Sequence, residues 1–255
     1  MGVMEAIDRD PLLAGFYSIG DATRLLGVSH AAKLRGWING WPSSKSGPIV
    51  DGDFKKSPTV SFLDLMELRF IEYFRGQGVS MQTLRNAAEM ARKEWSVQHP
   101  FALSDVKYLT DRRRVIAQAS EAVGDRPTWE LVTGQYLIWD AIEASIAKGV
   151  VFDPATHLAS RWKPRPGDHP DIVLDPARAF GKPLVDSAGI PTDALFRQWK
   201  AEDGNFDRVA RWFNVSRGQV EGAVRFELDL ARSRIGFYRV IDAIERDEHG
   251  GGDEL

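Results

Sequence analysis

The chain contains no cysteine. That excludes a disulfide framework, a thiol nucleophile and a thiolate metal site, and it fits a reducing cytoplasm, the compartment we expect. No uninterrupted apolar run approaches the ~18–20 residues of a membrane span, and the amino terminus has no basic-then-apolar leader. A membrane partner is not expected. The five histidines (His30, His99, His157, His169 and His249) show no metal-ligand spacing of the H-x-x-x-H kind. The phosphate-binding patterns G-x-G-x-x-G and G-x-x-x-x-G-K-S/T are missing, as is the G-x-S-x-G elbow. Most acidic residues are scattered singly and usually neighbour a Lys or Arg, the pattern of a solvated surface. Asp153-Pro154 and Asp175-Pro176 initiate turns. No catalytic residue, metal ligand or cofactor is assigned, and an enzyme is not expected.

A length of 255 residues allows one large domain or two small ones, each able to bury a core. The eight tryptophans are expected to be mostly core anchors or interface residues.

The stretch from Tyr17 to Val60 organises the rest. Ile19, Ala22, Leu25 and Leu26 recur at the spacing of one buried helical face. Gly27 allows a tight bend, and Ser29 can cap a second helix whose apolar face is Leu34, Trp37 and Ile38. Lys33, Arg35, Gly36 and Asn39 are left facing outward. Two short helices joined by such a turn form a helix-turn-helix, whose second helix usually enters the major groove. Gly47–Val50 and Ser57–Val60 then flank Asp51-Gly52, a favoured hairpin turn, with Lys55 and Lys56 beside its tip. This is the expected wing. Residues 17–60 hold six Lys/Arg (Arg24, Lys33, Arg35, Lys45, Lys55, Lys56) and three acids (Asp21, Asp51, Asp53), hence 6 − 3 = +3 in a chain of net charge −3. A basic patch on an acidic protein is the footprint of a DNA reader. The stretch resembles a MerR-like winged helix-turn-helix.

Residues 1–16 read as an acidic leader. After the wing, Ser61 caps a helix over Phe62–Arg75, whose apolar face is Leu65, Leu68, Phe70, Ile71 and Phe74. Gly78-Val79-Ser80 opens another over Met81–Trp95, completing residues 17–96 as a DNA-binding domain. Residues 97–169 read as a mixed α/β connecting region. It would hold a strand at Val115–Ala119 after a charged turn at Asp111–Arg114, a helix over Trp129–Trp139, and strands at Val150–Phe152 and Leu158–Trp162, with a further strand at Ile172–Leu174 following it. A Pro/Gly-rich link at Lys163–Pro170 suggests a boundary near residue 170. Beyond it come helices over Asp193–Ala201 (capped by Thr192), Phe206–Phe213 (apolar Val209, Ala210, Trp212 and Phe213) and Arg217–Leu230. The last two are joined by Asn214-Val215-Ser216, a second helix-turn-helix-like unit. The final helix is expected to run to about Arg246, before a disordered tail at 247–255. The fold class expected is mainly α with small β elements: an amino-terminal winged helix-turn-helix and a carboxyl-terminal three-helix, helix-turn-helix-like domain.

Val173-Leu174-Asp175-Pro176, Phe180-Gly181-Lys182-Pro183 and Ala188-Gly189-Ile190-Pro191-Thr192 carry a resemblance. So do Val209-Ala210, Phe213, Val215-Ser216, Gln219-Val220 and Ala223 after them. Together they resemble the small domain of VapB-type antitoxins, which matches residues 170–227 most specifically; we assign that domain to 170–246. A longer subset of that family also carries a MerR-like amino terminus. Two features depart from the usual pattern. Seven residues separate Ser29 from Trp37 where about six are usual, leaving the recognition-helix register open by one residue. Ala188-Gly189 also stands where Gly-Thr-Gly is common.

The resemblance implies a type II antitoxin that sequesters a PIN-like ribonuclease toxin and represses its own operon. Under that reading Ser29, His30, Lys33, Arg35 and Asn39 meet operator DNA, while Lys45, Lys55 and Lys56 contact phosphates. Toxin-covering candidates are Arg232, Arg234, Phe237, Tyr238 and Arg239. A homodimer on a pseudo-palindrome is expected. The rival is a MerR-like regulator with a ligand-sensing or dimerisation domain and no toxin partner.

Overall fold

The computed structural model describes residues 14–28, 30–41, 47–55, 57–103, 106–134 and 144–232. In chain order the first elements are β1 (Tyr17–Ser18), α1 (Ile19–Leu26), α2 (Ala31–Asn39), β2 (Thr59–Val60), α3 (Phe62–Gly76) and α4 (Met81–Trp95). Next come α5 (Val106–Ala122), α6 (Arg126–Gly134), β3 (Val150–Phe152) and β4 (Ala159–Trp162). The last are β5 (Ile172–Val173), β6 (Leu184–Val185), β7 (Ile190–Pro191), α7 (Thr192–Ala201), α8 (Phe206–Phe213) and α9 (Arg217–Arg232). The protein is mainly helical with small antiparallel sheets. Among the described residues no helix is long and apolar enough to cross a membrane.

The contacts divide into two compact units, each assembled from separated stretches. One holds the described residues within 1–25, 52–65 and 149–233, the other those within 26–51 and 66–148.

In the first unit β1 pairs antiparallel with β2, setting Tyr17 opposite Val60. The start of α3 is fixed by a reciprocal cap. Asp64 N–H donates to Ser61 Oγ at 3.1 Å, and Ser61 N–H donates to Asp64 Oδ2 at 3.0 Å. The carboxyl-terminal part of this unit lays the β3–β4 hairpin beside a β5-β6-β7 sheet, joined through a Trp162–Leu174 bridge. Asp175 accepts the Ala177 N–H at 3.0 Å, the turn that Asp-Pro favours. Val185, Leu184, Leu195, Val209, Val220, Ala223 and Phe226 make the core between sheet and helices. Thr192 is the first residue of α7 rather than its cap, a place taken by Pro191. Its hydroxyl turns inward, donating to the Pro183 carbonyl at 3.3 Å and to Glu227.

In the second unit Leu68, Phe70, Ile71 and Phe74 are fully buried, as their spacing predicts, and so are Leu84, Ala87, Ala88 and Ala91 of α4. Ser80 caps α4, its hydroxyl accepting the Thr83 N–H at 3.1 Å.

Three expectations need correction. The stretch expected as a charged turn and a strand, Asp111–Ala119, lies inside α5. Val115, Ile116 and Ala119 are buried at helical spacing, and the adjacent arginines diverge as helical neighbours must. Arg112 is buried, donating to the Leu103 carbonyl at 2.6 Å with its guanidinium over Phe70; Arg113 reaches the Val132 carbonyl, also at 2.6 Å. The wing expected from Gly47–Val50 and Ser57–Val60 is not a hairpin in the described residues, since Thr59–Val60 pairs with Tyr17–Ser18. Side chains satisfy the 47–51 carbonyls instead: Arg85 binds Gly47, Arg92 binds Ile49 at 2.5 Å, and Gln98 binds Asp51 at 2.9 Å. Finally, α6 begins at Arg126, earlier than Trp129. Residues 135–139 of that expected helix lie outside the described residues.

Candidate functional site

The turn expected between α1 and α2 is present. Gly27 takes a φ of +66°, which costs glycine little. His30 occupies the cap position of α2, its side chain making no capping bond to the helix; Ser29, expected there, lies outside the described residues. Leu34, Trp37 and Ile38 are buried. Trp37 also holds the helix end, its carbonyl accepting the N–H groups of Ile49 at 2.7 Å and Val50 at 3.1 Å.

Lys33, Arg35 and Asn39 are all exposed, but they do not share one line. Positions two apart on an α-helix stand roughly 160° apart, so Lys33 and Arg35 occupy opposite edges of the exposed arc. Ala32 and Asn39 lie between them, nearer to Arg35. Gly36, expected to face outward, is buried. The Trp41 indole covers it so closely that a Cβ built there would meet the ring. Lys55 is exposed and belongs to the other unit. Lys45 and Lys56 lie outside the described residues.

Of the residues expected to cover a toxin, Arg232 ends α9 and is exposed. Arg234, Phe237, Tyr238 and Arg239, with the expected extension to Arg246, lie outside the described residues.

A surface of α8 escaped the sequence reading. Phe206, Val209, Ala210 and Phe213 make its inward stripe. Arg208 and Arg211 fall on the opposite pole with Trp212 on its flank, and Trp212, counted above with the apolar face, is 71% exposed. The angular positions of the four inward residues could have revealed this.

Several titrating groups near these elements are shifted. In the second unit partial burial works against Asp125, but hydrogen bonds from Thr83, Thr128 and Ser80 hold its carboxyl down to about 2. In the first unit burial pushes Glu227 up; the Thr192 hydroxyl opposes this and Asp193 adds to it. Burial of Asp186 is outweighed by Arg178 and Arg161, which hold it below the usual carboxylate range. These are structural polar sites, and none is a clustered acid–base pair.

No protein-family model matches the chain. Over 232 residues it is 26% identical to a Mycobacterium tuberculosis (strain ATCC 25618 / H37Rv) protein named "Putative antitoxin VapB45", a match spanning 82% of this chain and 92% of that relative. The crystal structure of Rv2018 from Mycobacterium tuberculosis has a similar fold, with a TM-score of 0.62 and 26% identity over 85% of this chain and 98% of that one. These likenesses support an antitoxin family.

Proposed function

We propose that this protein is the antitoxin of a type II toxin–antitoxin pair, binding and neutralising a PIN-like ribonuclease and repressing its own operon. The observation that carries the reading is the likeness to an antitoxin-named relative over nearly all of that relative's length. Under this reading the chain binds its partners and carries out no catalysis. The exposed arc of α2 supports the DNA-binding half of the proposal: Ser29 and His30 open the recognition helix, and Lys33, Arg35 and Asn39 face the groove. Lys45, Lys55 and Lys56 neutralise phosphates, which positions a protein without reading sequence. Arg232, Arg234, Phe237, Tyr238 and Arg239 are assigned to the toxin. A cytoplasmic homodimer would read two half-sites.

Co-expression with the product of the neighbouring small gene, followed by size-exclusion chromatography and a ribonuclease assay, tests this. Co-elution with loss of nuclease activity is expected. Separate elution would sink the antitoxin role and leave the rival, a MerR-like regulator without a toxin partner.

A further inference from the structure

We infer that the outward face of α8, formed by Arg208, Arg211 and Trp212, docks an acidic surface of the protein partner; this rests on the antitoxin reading. Exposing most of an indole in water gives up the burial that drives tryptophan into cores. The cause is visible in the helix. Val209 and Ala210 are committed to the core, which leaves Trp212 on the solvent flank of the helix beside Arg208, its neighbour one turn back. Tryptophan and arginine together are the composition of interface hot spots.

The local ion pairs leave this face positive. Asp207, one turn before Arg211, is drawn to Arg217 at 3.0 Å. Among the described residues Arg211 therefore has no ion-pair partner, while Arg208 reaches Glu202 at 3.1 Å. A face with one unanswered guanidinium, a second paired with the part-buried Glu202, and a bare indole is complementary to carboxylates bordering an apolar patch.

The same unit argues against nucleic acid at this surface, although α8, the Asn214–Ser216 turn and α9 have helix-turn-helix order. The amino-terminal end of α9 would enter a groove, yet its Arg217 is neutralised by Asp207 and by Glu221, the latter at 2.7 Å. Residues 206–232 carry five arginines (208, 211, 217, 225, 232) and four acids (207, 221, 227, 229), so 5 − 4 = +1. That is too little for a phosphate-binding face.

The test uses the full chain and the neighbouring-gene product as probe, with affinity read by biolayer interferometry. Trp212→Ala should weaken the complex by about 30-fold, as a hot spot does. Arg208→Glu with Arg211→Glu should weaken it at least as much, chiefly through a slower on-rate. Arg126→Glu, a charge reversal in the other unit, should leave it unchanged, and all variants should melt like the parent. Iodide quenching of Trp212, taken as parent minus Trp212→Phe, should fall on complex formation. Parental affinity in both α8 variants would overturn the surface while leaving the antitoxin role standing. Lost DNA binding with unchanged partner affinity would overturn it in favour of nucleic acid. A parent chain that binds no partner removes both proposals.

Discussion

The Trp41 indole lies on the α-carbon of Gly36, so close that a Cβ at position 36 would fall 2.2 Å from Cε2 of the ring. Gly36→Ala must therefore displace the indole. Removing a helical glycine returns about 1 kcal/mol, which offsets much of the packing lost by a ring already 42% exposed. We expect stability within about 1 kcal/mol of the parent and a clear rise in acrylamide quenching of Trp41, isolated by subtracting a Trp41→Phe background. Unchanged quenching would refute the contact.

On the proposed groove-facing arc, Arg35 occupies the edge beside Asn39, and Lys33 the far edge. Arg35→Ala should weaken operator binding by about 1–3 kcal/mol, the value of one base contact, with Lys33→Ala costing less. Lys55→Ala and Lys56→Ala should each reduce the salt slope of binding by about one. Gel-shift titrations at several salt concentrations decide between these, and equal losses at Lys33 and Arg35 would contradict the angular assignment.

Asp125 caps α6 through the Thr128 N–H and also binds the Thr83 and Thr128 hydroxyls, at 2.6 and 2.7 Å. Its carboxyl is held down to about 2, against roughly 3.9 in an unfolded chain. A depressed carboxylate stabilises the fold above its unfolded value, and that contribution is lost as pH falls through the folded one. Asp125→Ala should cost about 1–2 kcal/mol at neutral pH. The gap between parent and variant in urea melts should close between about pH 4 and pH 2. A gap independent of pH would show that the carboxylate is not the source.

Glu227 has the opposite sign. Its carboxyl is raised, first by burial and then by Asp193, with Thr192 opposing. The folded state therefore holds its proton more tightly than the unfolded chain does, and stability declines as pH rises above the unfolded value near 4.3. Glu227→Gln should melt at or above the parent temperature at pH 7, with the difference vanishing below pH 4. A variant that loses stability at neutral pH alone would reverse the assigned sign.

Tyr17 Oη donates to the Gly181 carbonyl at 2.7 Å, and Gly181 takes a φ of +80°. A Cβ at position 181 would fall 2.4 Å from that oxygen. Gly181→Ala combines left-handed strain with loss of a buried hydrogen bond, costing about 2–4 kcal/mol. Tyr17→Phe loses only the bond, at about 1 kcal/mol. Urea melts that rank the two equally would remove the steric component.

Helix placement was legible where one face carries large apolar residues and a cap is spelled out. Met81–Trp95 behind Ser80 has the same bounds in sequence and structure, as does Phe206–Phe213, whose Asn205 cap is visible only in the structure. Short strands at Val150–Phe152 and within Leu158–Trp162 were legible from their turns. Val115–Ala119 misled because β-branched residues suit a strand, while the determinants of α5 are distant: the Leu103 and Val132 carbonyls that receive Arg112 and Arg113. The pairing of Thr59–Val60 with Tyr17–Ser18 was also beyond reach, since no local signal reports which carbonyls Arg85, Arg92 and Gln98 will satisfy. At the candidate DNA surface the residue types could be read, but not the burial of Gly36, which depends on where the chain carries Trp41.

The bond between Tyr17 and Gly181 joins positions 164 residues apart. At a synthesis rate of about 5–20 residues per second, roughly 8 to 33 s pass on the ribosome between their appearances. During that interval Tyr17 has no Gly181 to bind, so this part of the first unit is completed only after most of the chain has been translated.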